Sequence, residues 1–158
     1  MSLDRGNMPN IDAAGFKIAI AASRFNKGLV DALLKDAVKA MVARGVNEAD
    51  IKVARVPGAA ELPFACNLLA KSGGFDAVAA LGVVVAGDTP HHEIIAHSTA
   101  IALQLAARKT GVPMINGIIV ANNRAQAEAR TIGEIARGAE FAEAAIEMAF
   151  VAKNLGRL

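Results

Sequence analysis

The run Ala77-Val78-Ala79-Ala80-Leu81-Gly82-Val83-Val84-Val85 carries no polar side chain, and this constrains the fold more than any other feature. A strand with one face in water alternates apolar and polar residues. An uninterrupted apolar run bounded by Gly73-Gly74 and Gly87 predicts a strand covered on both faces, the signature of a parallel sheet. Residues 16–22, 51–56 and 113–121 offer three more short strand candidates. Between them the period changes. From Lys27 the apolar positions Leu29, Val30, Leu33, Leu34, Ala37, Val38, Met41 and Val42 recur at helical spacing until Gly45. Residues 61–71, 90–109, 125–137 and 139–155 predict four further helices. The order β-α-β-α-β-α-β-α-α implies a flavodoxin-like α/β fold, a three-layer α/β/α sandwich around a four-stranded parallel sheet.

A chain of 158 residues is long enough for one domain with its own core and needs no disulfide or metal to hold it. Residues 13–158 are expected to form that domain and residues 1–12, which lack a pattern, a flexible arm. Seventeen Lys and Arg against fifteen Asp and Glu leave too little excess, and no basic run, to suggest nucleic acid. No apolar run is long enough for a bilayer, and the start of the chain lacks the order of a secretion signal. The single Cys66 sits among apolar residues, where an inert core thiol is expected rather than a nucleophile. A cytoplasmic protein binding neither membrane nor nucleic acid is the resulting expectation. The apolar fraction is high, but Ala, Val, Ile and Leu supply it; apolar surface left over for partners predicts oligomerisation.

Parallel sheets of this kind bind ligands beyond the carboxyl ends of their strands. The residues there are Arg24-Phe25-Asn26, Pro57-Gly58-Ala59-Ala60-Glu61, Gly87-Asp88-Thr89-Pro90-His91-His92 and Asn122-Asn123-Arg124. Thr89 before Pro90 reads as an N-cap with proline in the first helical position. The amides of that helix start would favour an anion. The positive end of a helix dipole disfavours imidazolium, so a histidine there suits a neutral proton acceptor. His91 is therefore a candidate proton shuttle, against the ordinary reading of a solvated histidine, which His92 fits. His91 and His97 are six apart, poor spacing for one helix face, and no metal site is expected. Glu93, two residues past His91, should not face it. Arg124 and Arg130 read either as solubilising charges or, for Arg130, as a guanidinium fork for phosphate beside the Gly87-Asp88-Thr89 amides. Phe25 is either core or a stacking surface. From spacing alone, the chain is an α/β protein binding a small anionic ligand.

The ordered motifs Ser23-Arg24-Phe25-Asn26, Val56-Pro57-Gly58-Ala59-Ala60-Glu61-Leu62-Pro63, Leu81-Gly82-Val83-Val84-Val85, Gly87-Asp88-Thr89-Pro90-His91, Gln126-Ala127-Glu128-Ala129-Arg130 and Ala145-Ile146-Glu147-Met148-Ala149 resemble the lumazine synthase family along nearly the whole chain. The resemblance implies condensation of 5-amino-6-(D-ribitylamino)uracil with 3,4-dihydroxy-2-butanone 4-phosphate to 6,7-dimethyl-8-ribityllumazine, without a cofactor. It also implies a pyrimidine ring against Phe25, its polar edge on the backbone of Val83, Val84 and Val85, and the ribityl chain near Ala59, Ala60 and Glu61. Arg130 and the amides of Asp88 and Thr89 would take the phosphate, and His91 would move protons.

Several positions depart from the family pattern. Ala60 stands where a bulky aromatic is usual, Ala86 replaces a basic residue, and His92 replaces an aromatic. Asn116 takes the place of a Phe that the family borrows from a neighbouring subunit. Each lost aromatic contact is worth about 0.5–1.5 kcal/mol, which raises a Michaelis constant more readily than it abolishes chemistry. The family forms pentamers with active sites between subunits, and some members build decamers or sixty-subunit shells, so at least a homopentamer is expected. A short connection between the last two helices resembles shell-formers, whereas Pro9 opposes the strand exchange that shells use. The alternative reading is a divergent paralogue that binds a flavin- or pteridine-like ligand without turnover.

Overall fold

The computed structural model describes residues 9–156. Four strands, β1 (Ile18–Ser23), β2 (Ile51–Val56), β3 (Ala77–Val85) and β4 (Met114–Ala121), form one parallel sheet in the order β2-β1-β3-β4. The helices are α1 (Lys27–Ala43), α2 (Leu62–Lys71), α3 (His91–Thr110), α4 (Arg124–Thr131) and α5 (Gly138–Leu155). Architecture and element order are those the periodicity predicts. The sheet reverses its winding between β1 and β3, which places a crevice at the carboxyl ends of those two strands.

Alternation along β1 and β3 divides the core. Ile18, Ile20 and Ala22, beside Ala77, Ala79 and Leu81, face the layer containing α1 and α5. Ala19 and Ala21, beside Val78 and Ala80, face α2 and α3. The second face is lined by smaller side chains, so its helices can approach closely. α1 and α5 lie side by side, tied by an Arg44–Glu143 ion pair at 3.1 Å and by Asp36 Oδ2, which accepts from the Ala139 N–H at 2.8 Å.

Two local expectations need correction. The helix expected over residues 125–137 stops at Thr131. There the Thr131 hydroxyl bonds back to the Ala127 carbonyl, and the Ile132 and Gly133 N–H groups both fold onto the Glu128 carbonyl. The expected cap of α3 also differs. Pro90, not Thr89, precedes the first helical residue, and its carbonyl takes the N–H groups of Glu93 and Ile94. The Thr89 carbonyl meets His92 Nδ1 at 3.3 Å instead. The first eight residues of the expected arm lie outside the described residues, whereas Ile11 is buried in the larger core.

Candidate active site

The crevice at the switch point holds a cavity of about 350 Å³. Its lining comes from two connections that follow strands, the end of a third strand and the start of a helix. Phe25 and Asn26 follow β1, Gly58 to Glu61 follow β2, and Val83 to Val85 end β3, with His91 and Ile95 from the start of α3. Phe25 is 72 % exposed, so it is a surface ring and not a core residue. Its loop is stitched to the next: the Arg24 N–H donates to Val56 and Pro57 carbonyls, and the Phe25 N–H donates to the Pro57 carbonyl at 3.1 Å. Gly58 permits this approach. A Cβ there would stand 3.3 Å from Phe25 Cδ2 and 3.1 Å from Glu61 Oε2. The Glu61 carboxylate accepts from the Gly58 N–H at 2.8 Å, which holds it at the cavity wall.

The end of β3 presents main-chain groups to this space. The Ala86 N–H bonds to the Ala121 carbonyl, beside β4. Peptide groups alternate along a strand, so those of Val83 and Val85 turn to the opposite edge, where β1 has already ended. The Val83 carbonyl is taken by Asn26 Nδ2 at 2.9 Å. His91 stands at the amino end of α3, one helical turn before Ile95, and both line the cavity. Asp88 and Thr89 lie in the exposed turn between Val85 and His91, outside the cavity lining. His92 does not line it either; its Nε2 lies 3.9 Å from Glu93 Oε1.

Arg130 and Asn116 line a different cavity, also of about 350 Å³, between the edge strand β4 and the α4–α5 connection. The two cavities share no lining residue. Arg130 Nη1 donates to the Gln126 carbonyl at 3.0 Å, and among the described residues no carboxylate forms an ion pair with it. Asn116 Oδ1 accepts from the Ile118 N–H at 3.2 Å, leaving its amide N–H groups for other partners. Arg124, by contrast, pairs with Glu128 at 2.7 Å on the exposed side of α4, the solubilising role.

Sequence reasoning gave no site role to Arg137, Asn26 or Ile95, although Asn26 stood among the residues at the strand ends. Arg137 sits beside Arg130 in the second cavity and pairs with Glu140 at 2.7 Å. It was expected only as the last residue of a long helix; Gly133 was the available signal that the helix stops earlier. Asn26 and Ile95 line the first cavity. Asn at a strand end, where a left-handed turn is common, could have marked the one. The four-residue spacing from His91 could have marked the other.

Cys66 lies on the buried face of α2, and burial pushes its thiol up to about 12, so it is a packing residue. Among the described residues no group of three or more His, Cys, Asp or Glu is arranged to hold a metal ion, and no helix is long and apolar enough to cross a membrane.

The sequence profile described as 6,7-dimethyl-8-ribityllumazine synthase matches residues 15–153. Proteins bearing that name are similar to this chain along almost their full length. The one from Nitrosomonas europaea is 40 % identical over 149 residues, covering 94 % of this chain and 89 % of its own. Those from a Polaromonas species and Xylella fastidiosa are 37 % and 41 % identical, covering 92 % and 90 % of this chain and 93 % of each relative.

Proposed function

This chain belongs to the 6,7-dimethyl-8-ribityllumazine synthase family, and from that premise we propose how its residues divide the work. The reaction is the condensation of 5-amino-6-(D-ribitylamino)uracil with 3,4-dihydroxy-2-butanone 4-phosphate in riboflavin biosynthesis. The enzyme is a transferase. The observation that carries the assignment of roles is the switch-point cavity, which combines one exposed aromatic face, an open main-chain edge and one histidine.

The pyrimidine ring stacks on Phe25. Its polar edge meets the outward main-chain groups at Val85 and beside Val83. The ribityl chain runs along Ala59, Ala60 and Glu61, where the Glu61 carboxylate keeps a free oxygen for a hydroxyl. His91 moves protons as the amine adds to the ketone, a first water leaves, phosphate is eliminated, and the second amine closes the ring with loss of a second water. No strong nucleophile is needed, because much of the rate in such a condensation comes from holding two reactive molecules together.

Phosphate falls to Arg130, with the Asp88 and Thr89 amides on the other side. Asn116 covers the ring from the same surface as Arg130. The separation of the two cavities within one chain supports a site completed by two subunits: the Phe25–His91 half from one and the Asn116–Arg130 half from its neighbour. Exposed Ile94, Ile101 and Leu105 along α3, near exposed Phe64 and Leu68 on α2, supply apolar surface for such an assembly. The protein is thus read as a cytoplasmic homo-oligomer, at least a pentamer.

Purified protein incubated with both substrates is expected to generate the absorbance and fluorescence of the lumazine product. Product formation no faster than the uncatalysed reaction would overturn the assignment and leave ligand binding without turnover.

A further inference from the structure

Asn26 is the only non-glycine with positive φ among the described residues, at φ 54° and ψ 42°. Few L residues accept this backbone, and asparagine is one of them. Helix capping does not account for the choice. The Asn26 side chain accepts nothing from the first turn of α1, and it is the Asn26 backbone carbonyl that takes the Leu29 and Val30 N–H groups. The side chain instead crosses the switch-point crevice to donate Nδ2 to the Val83 carbonyl at 2.9 Å, between residues 57 apart in sequence. The acceptor is a β3 group left beyond the end of β1. Phe25, Asn26 and Val83 line the same cavity.

This bond fixes a particular distance. Phe25 is anchored on its outer side by the Pro57 carbonyl, which binds the loop to β2 and leaves its position over β3 to Asn26. A flat ligand that stacks on Phe25 while hydrogen-bonding the β3 edge needs face and edge held in one relation, and a displacement of order 1 Å costs binding.

We propose that Asn26 is a positioning residue for this reaction, setting the Phe25 ring against the open main-chain edge of β3 so that both engage one pyrimidine. The inference rests on the reading of this cavity as the pyrimidine site. Two substitutions separate the bond from the backbone. Asn26→Gly keeps the left-handed turn and removes the amide. Asn26→Asp keeps the size and places a carboxylate oxygen against the carbonyl.

Steady-state kinetics with each substrate varied in turn, together with thermal melting, test it. Asn26→Gly is expected to raise the KM for the pyrimidine about ten-fold, the equivalent of one hydrogen bond. Asn26→Asp should raise it further. The KM for the phosphate substrate should stay within about two-fold, as expected for a bond that positions one substrate only. Fluorescence titration with the lumazine product should weaken in parallel. An unchanged pyrimidine KM in Asn26→Gly overturns the proposal, as does an equal rise for both substrates with a lowered melting temperature, which would make Asn26 merely structural. Unmodified protein that makes no product overturns the site reading and the inference with it. Active unmodified protein with an indifferent Asn26→Gly overturns the inference alone.

Discussion

The same substitution, Gly→Ala, should have opposite signs at the starts of two helices. Gly138 opens α5 and Gly28 lies in the first turn of α1. Alanine in a helix loses less backbone freedom on folding than glycine, a gain of about 0.5–1 kcal/mol wherever space allows. Space allows it at Gly28, where an added Cβ meets nothing within 4 Å. At Gly138 the added Cβ would stand 2.6 Å from the Leu33 carbonyl oxygen and 2.7 Å from both Cβ and Oδ2 of Asp36. One neighbour is α1 backbone and cannot swing away. Another is the carboxylate oxygen that accepts from the Ala139 N–H and caps α5. Overpacking costs about 1–3 kcal/mol and loss of a helix cap about 0.5–2 kcal/mol, so sterics outweigh propensity and the net cost is about 1–4 kcal/mol. Melting followed by circular dichroism, at one protein concentration because assembly shifts the midpoint, should show Gly138→Ala lowered by a few to about fifteen degrees. Gly28→Ala should rise by roughly 1–4 °C. A Gly138→Ala protein as stable as the parent would refute the close α1–α5 crossing. Because Arg137 and Phe141 flank this point and line the second cavity, the variant should also disturb that surface.

The buried Ser23 hydroxyl has no hydrogen-bond partner, so Ser23→Ala should leave stability unchanged or raise it by about 1 kcal/mol; a clear loss on denaturant unfolding would mean the hydroxyl is satisfied. Burial pushes the Cys66 thiol up to about 12, so between pH 7 and 9 a thiol reagent should modify it only as fast as the protein opens. Rapid labelling of folded protein would contradict that. Arg130→Ala should raise the KM for the phosphate substrate far more than that for the pyrimidine. Equal effects would remove its role as the phosphate ligand.

Strands were legible where composition left no choice. Residues 51–56 and 77–85 have the predicted bounds, because Pro57-Gly58 and Gly73-Gly74 end regular structure abruptly. Strand order was legible only as a class, since no local pattern pairs Ala22 with Leu81. The early end of α4 shows the limit of periodicity: Ile132 and Ile135 continue an apolar pattern, yet both are exposed while the chain turns at Gly133. At the site, the first cavity could be anticipated because strand ends in a parallel sheet converge at the reversal of winding. The division of His91 and Arg130 between two cavities could not. It depends on β4 being an edge strand and on which side of it α4 packs, both set by tertiary contacts.

That division can be tested without a structure of the assembly. His91 belongs to one cavity and Arg130 to another, so His91→Ala and Arg130→Ala damage different halves of the proposed site. Each variant alone should be impaired at every site. If both are unfolded and refolded together, each interface draws its two halves independently. A half bearing intact His91 comes from an Arg130→Ala chain, and a half bearing intact Arg130 comes from a His91→Ala chain. At equal amounts each occurs about half the time, so about a quarter of the interfaces should carry two intact halves, whatever the number of subunits in the ring. Lumazine formation by the mixture should therefore recover to about one quarter of the unmodified rate. A site built within one chain predicts no recovery, since every chain then carries a lesion. Activity no greater than the average of the separate variants would consequently refute the shared site while leaving each residue's own importance intact.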